Sequence, residues 1–117
     1  MAKAVGIGGV FFRAPDTKAL ATWYDTHLGI SGFWGQQAGL TIFAPFEADT
    51  DYFPASQQTM LNFRVDDLDG LIAQLRAAGI GVETRPDEWD TTETGRFARI
   101  IDPAGNHVEL WQPPASH

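Results

Sequence analysis

Two periods of apolar residues divide the chain. Spacing of three and four residues places Leu20, Trp23, Tyr24 and Leu28 on one face and predicts a helix over Thr17 to Leu28 that stops at Gly29. The same spacing puts Leu68, Leu71, Ile72 and Leu75 together and predicts a second helix over 68–78, stopped by Gly79. Glycine suits both ends because it takes the left-handed conformation at little cost. Alternation with a period of two predicts strands ahead of each helix, and again at 30–34, 40–43, 80–84, 97–101 and 108–111. Asp102-Pro103-Ala104-Gly105-Asn106 is dense in turn formers and should fold the last two strands into a hairpin. Between 44 and 58, Pro45, Asp49, Asp51 and Pro54 argue for a loop, with Tyr52 and Phe53 docking on the core.

The two strand–helix units are alike. Val10-Phe11-Phe12-Arg13-Ala14-Pro15-Asp16 lines up without gaps on Leu61-Asn62-Phe63-Arg64-Val65-Asp66-Asp67, at a constant offset of 51 residues. Each strand runs into an Asp that can cap the following helix by accepting from its free N–H groups. The expected fold is therefore α+β: one domain over residues 1–117, built from two βαβββ modules at about 5–56 and 57–114. Their strands would form a curled mixed sheet with helices on its outer face.

Alternation also splits each strand into two faces. Val10 and Phe12 oppose Phe11 and Arg13; Leu61, Phe63 and Val65 oppose Met60, Asn62 and Arg64; Val108 and Leu110 oppose His107, Glu109 and Trp111. One face is apolar and suits packing against helices. The other mixes polar groups with large apolar ones. Open to water it would be an ordinary solvated sheet face; curled, it would line a pocket of the kind small ligands use.

Composition narrows the chemistry. Across 117 residues there is no cysteine, which removes disulfides, thiolate nucleophiles and Cys-based metal sites. A net charge of −7 opposes binding of nucleic acid, which needs clustered Lys and Arg. No apolar run is long enough to span a membrane, and the N-terminal residues do not resemble a secretory signal, so the expected location is the cytoplasm. No serine stands in a nucleophile-elbow context. Glu47, Asp49 and Asp51 alternate like part of a calcium loop but lack its glycine and distal glutamate, which favours a solvated acidic loop.

These segments together resemble the glyoxalase/bleomycin-resistance/extradiol-dioxygenase (vicinal oxygen chelate) superfamily. The resemblance is carried by the stretch from Asn62 to Asp69, by the ending from Asp102 to Trp111, and by Gly8 to Asp16 followed by a Trp-Tyr helix and Leu28-Gly29. It implies a cleft, usually in a homodimer, where metal-dependent members hold a divalent ion with histidines and a glutamate; the ion acts as a Lewis acid. Metal-free members sequester bleomycin-like drugs. Carried over by position, the histidine slots fall on Gly9 and Met60, and only the glutamate is kept, as Glu109. One carboxylate is a poor substitute for the three protein ligands of a catalytic metal, so no cofactor is expected and a divalent ion is disfavoured. His27 ends a helix and His117 is terminal; His107 shares the face of Glu109 but sits beside the turn.

The candidate ligand pocket is Phe11, Arg13, Trp34, Met60, Asn62, Arg64, His107 and Trp111 around Glu109. Glu109 would serve as general base, as ligand anchor, or as half of an ion pair with Arg13 or Arg64. The arginines would grip a carboxylate or phosphate, or stand in solvent. Trp34, Trp89 and Trp111 could stack on a flat ligand, while Trp23 belongs to the core. The leading expectation is a metal-independent small-molecule-binding protein of resistance or sequestration type, working as a homodimer. The alternative is an enzyme of the same superfamily, either a lyase or dioxygenase with rearranged metal ligands or a metal-free isomerase using Glu109. A regulatory module without chemistry is the third reading.

Overall fold

Aspartates start the two long helices and glycines end them. In the computed structural model, which describes residues 2–115, α1 covers Thr17–Leu28 and α2 covers Leu68–Ala77. Asp16 Oδ1 accepts from the Ala19 N–H at 3.0 Å, and Asp67 Oδ1 from the Gly70 N–H at 2.9 Å. Each bond satisfies a first-turn donor that the helix itself cannot pair. Gly29 turns left-handed at φ 71°, which lets the N–H of Ile30 reach back to the Tyr24 carbonyl. A short third helix, α3 (Pro86–Trp89), begins on a proline and was not foreseen.

Three strands form a mixed sheet: β1 (Leu61–Arg64), β2 (Arg96–Ile101) and β3 (His107–Gln112), in the order β1-β3-β2. β1 lies parallel to β3, with Leu61 opposite Val108, and β2 lies antiparallel to β3, with Arg99 opposite Glu109. The hairpin joining β2 to β3 turns through Asp102 and Gly105 (φ 88°). Ala98, Ile100, Val108 and Leu110 point from one face into Leu68, Ile72 and Leu75 of α2, and α1 adds Leu20 and Tyr24. The seam between α1 and the hairpin carries a buried polar bond: the Tyr24 hydroxyl donates to Asp102 Oδ2 at 2.6 Å. Asp102 also accepts from the N–H groups of Ala104 and Asn106 and from the Asn106 amide, so this buried carboxylate is fully engaged.

The expected pair of βαβββ modules in one curled sheet does not form. Module two supplies all three strands of the single open sheet, and the first half contributes only a helix. The helices keep the 51-residue offset, starting at Thr17 and Leu68, but the segment aligned with β1 stays irregular, as do 30–34 and 40–43. The physical reason lies in the glycines. Gly6, Gly8 and Gly9 run up to the first segment, Gly32 interrupts 30–34, and Gly35 and Gly39 lie between it and 40–43; glycine gives a strand neither side-chain packing nor conformational restriction. A strand also needs a partner edge, whereas a helix closes its bonds locally. The predicted strand at 80–84 is reduced to one bridge, between Glu83 and Arg99.

Candidate functional site

Side chains on the sheet face opposite the core come from alternate residues of the three strands. Asn62, Glu109 and Arg99 stand in one row across β1, β3 and β2, with Arg64, Trp111 and Phe97 in the next. Glu109 is at the centre and is buried, 7% exposed. Its Oε1 accepts from the Asn62 amide at 2.7 Å, and its Oε2 accepts from the hydroxyl of Tyr52. Tyr52 arrives from the irregular 44–58 loop, 57 residues away in sequence. Instead of docking on the core it lies on this polar face.

An aromatic cluster fixes Tyr52 there. Phe46 stacks on its ring at 5.7 Å and Trp89, from α3, meets it edge-on at 6.3 Å. The Arg99 guanidinium carbon sits 4.6 Å from the Tyr52 ring centroid and 5.5 Å from that of Trp89, close enough for cation–π attraction. Arg99 Nε and Nη2 are buried and have no hydrogen-bond partner among the described residues. Burial, and then the hydrogen bond and charge of Glu109, push the Tyr52 phenol up to about 12, while the charge and hydrogen bond of Arg99 pull it down. Tyr52 is therefore a neutral donor throughout the physiological range.

The other candidates are spread more widely. Arg64 donates to the carbonyls of Gln37 (3.0 Å) and Ala38 (3.4 Å), where it pins the 35–40 loop. Arg13 is exposed on the irregular N-terminal segment, and no ion pair among the described residues includes Glu109. Phe11 is 95% exposed and lies against Gly9. Trp34 packs edge-on against Phe63, on the core side of β1, 6.0 Å between centroids. Met60, half-buried, precedes β1. Trp111 is buried, stacks on Phe97 and donates from Nε1 to the Thr94 carbonyl at 2.6 Å. At the mouth of β3, His107 is held by its backbone, which exchanges bonds with the Gln57 amide at 2.8 and 2.9 Å. His117 lies outside the described residues. The acidic residues Glu47, Asp49 and Asp51 are exposed.

Tyr52 and Arg99 are the site residues that the sequence reading missed. For Arg99 a signal existed, since alternation opposes it to Ala98 and Ile100. Tyr52 had none, because a loop residue carries no period.

Met60, Tyr52, Trp89, Asn62 and Glu109 open onto one cleft of about 2100 Å³, whose other wall is the irregular first half. These residues do not fit a divalent ion. Both Glu109 oxygens already accept hydrogen bonds, the positions that the resemblance gives to histidine carry Gly9 and the thioether of Met60, and no group of three His, Cys, Asp or Glu converges among the described residues.

The chain belongs to the glyoxalase-like domain family, which matches it over residues 9–111. Among solved structures it is similar to TnmS3, an antibiotic binding protein from Streptomyces sp. CB03234, at 28% identity and a TM-score of 0.61, covering 96% of this chain and 99% of that one. A glyoxalase/bleomycin resistance protein from the same organism is also 28% identical, with a TM-score of 0.53 over 85% of this chain and 93% of the other. The trypanothione-dependent glyoxalase I of Leishmania major, 17% identical with a TM-score of 0.54 over 86% and 81%, shares the fold. No curated protein sequence matches the chain. The fold is thus that of the glyoxalase/bleomycin-resistance superfamily, and no described helix is long and apolar enough to cross a membrane.

Proposed function

We propose that this chain is a metal-independent small-molecule-binding protein of resistance or sequestering type, acting as a cytoplasmic homodimer. The observation that carries the reading is the commitment of Glu109: where relatives with histidine partners offer a carboxylate to an ion, here it is bonded to Asn62 and Tyr52 inside an aromatic cleft. The cleft is lined by a few polar groups among aromatic side chains, the composition of a small-ligand site. Similarity over nearly the full length to a protein described as antibiotic-binding points the same way. A second copy would cover apolar side chains that the first half leaves in water, among them Phe33 and Phe43. A role as general base is disfavoured, since Tyr52 or Asn62 would first have to leave the carboxylate.

Titrating tryptophan fluorescence with bleomycin-type antibiotics, with and without a chelator, tests the proposal. Saturable quenching, unchanged by chelator and without product formation, is the expected outcome. Binding that disappears with chelator, or turnover of the ligand, would defeat it.

A further inference from the structure

Tyr52 occupies a place shaped for a phenol, and no helix or strand holds it there. Its neighbours supply each interaction such a ring can use: a carboxylate at the hydroxyl, a guanidinium against the ring, Phe46 stacked on it and Trp89 at its edge. Arg99 is suited to this task because no ion pair among the described residues engages it; its buried Nε and Nη2 lack partners, and it meets the faces of Tyr52 and Trp89 as well as the Tyr52 hydroxyl. Among the described residues the backbone at Tyr52 itself is tied locally, by its N–H donating to Thr50 Oγ1 at 3.2 Å, and the loop is next anchored five residues on, where the Gln57 amide bonds the His107 backbone. The rest of the loop stays irregular and its acidic residues are exposed. A loop of this kind can leave at a small fraction of the global unfolding free energy.

We propose that the Glu109–Arg99–Trp89 slot binds a hydroxyaryl group of the ligand, and that Tyr52 is its resident occupant, displaced when the ligand enters. The inference rests on the reading of the cleft as a ligand site and adds the chemical class that the site selects. The ligand hydroxyl takes over the donor role to Glu109 and its ring takes over the place beside Arg99. Discrimination against rings without a hydroxyl follows, because an incoming apolar ring would leave the buried carboxylate short of a donor.

The probe is p-cresol, which reproduces the tyrosine side chain from its β-carbon outward, with toluene as the control lacking the hydroxyl. In the Tyr52→Ala chain, p-cresol should bind about tenfold or more tightly than in wild type, and about tenfold more tightly than toluene does, the worth of one charge-assisted bond. Adding Arg99→Met or Glu109→Gln to Tyr52→Ala should remove most of that gain. Equal binding of toluene and p-cresol would reduce the slot to a greasy hole and overturn the proposal. Should Tyr52→Ala fail to fold, Tyr52→Phe keeps the ring and removes only its bond to Glu109. That chain must bind p-cresol better than wild type, and no improvement overturns the proposal. The slot and the binding-protein reading fail separately. Antibiotic binding by wild type with no p-cresol gain in the variants sinks the slot alone; p-cresol gain without any larger ligand supports the slot and counts against the broader reading.

Discussion

Tyr24 and Tyr52 are the chain's two tyrosines, and each donates its hydroxyl to a buried carboxylate, Asp102 and Glu109. Burial first, then the bonded carboxylate, raises both phenols above their usual value, Tyr52 to about 12 and Tyr24 further. An unfolded phenol releases its proton near 10, so at higher pH the folded state holds protons that the unfolded chain has lost. The stability from these pairs is therefore complete below about pH 10 and is lost as the pH rises toward 12 and beyond. Near-ultraviolet titration of Tyr24→Phe, which leaves a single phenol, should give a midpoint near 12; a midpoint at 10 would mean that Tyr52 does not sit on Glu109. Tyr24→Phe itself should lower stability by about 1–3 kcal/mol in denaturant melts, because the buried Asp102 loses one of its donors.

At the level of elements, the helices were legible because their bonds, caps and apolar stripes are local. Asp16, Asp67, Gly29 and Gly79 act where the sequence put them. Removing the cap with Asp67→Ala should cost about 1 kcal/mol, read as a drop of a few degrees in melting midpoint. Gly95→Ala should be worse: Gly95 sits at φ 98°, and an added β-carbon would come within 2.3 Å of the Gln112 carbonyl oxygen. We expect about 2 kcal/mol or more of destabilisation by that variant. Strands were legible only where a partner exists. β1, β2 and β3 pair with one another, while the alternating segments of the first half, flanked or broken by glycines, do not pair with either edge of that sheet. Alternation within β3 was enough to show which face carries Glu109. It could not reveal Tyr52, whose place is set by contacts far along the chain rather than by its neighbours in sequence.

At the scale of the whole molecule, the core is built from the second half with α1 packed onto it, and the rest of the first half presents apolar side chains, Phe33 fully exposed and Phe43 87% exposed. Light scattering should give twice the chain mass, and Phe33→Asp should shift it toward one; a wild-type monomer at micromolar concentration would contradict the proposed dimer. Glu109 lines the cleft between the halves, and its oxygens are given to Tyr52 and Asn62. The most direct measurement is a thermal melt of chelator-stripped protein with Ni²⁺, Zn²⁺, Mn²⁺ and Fe²⁺, run beside Glu109→Gln. An ion held at 100 times its dissociation constant would stabilise by about 2.7 kcal/mol and raise the midpoint by roughly 10 °C in a chain of this size. With Glu109 committed to Tyr52 and Asn62, shifts no larger than about 1 °C are expected with every ion. A rise near 10 °C that vanishes in Glu109→Gln would contradict this and make Glu109 a metal ligand.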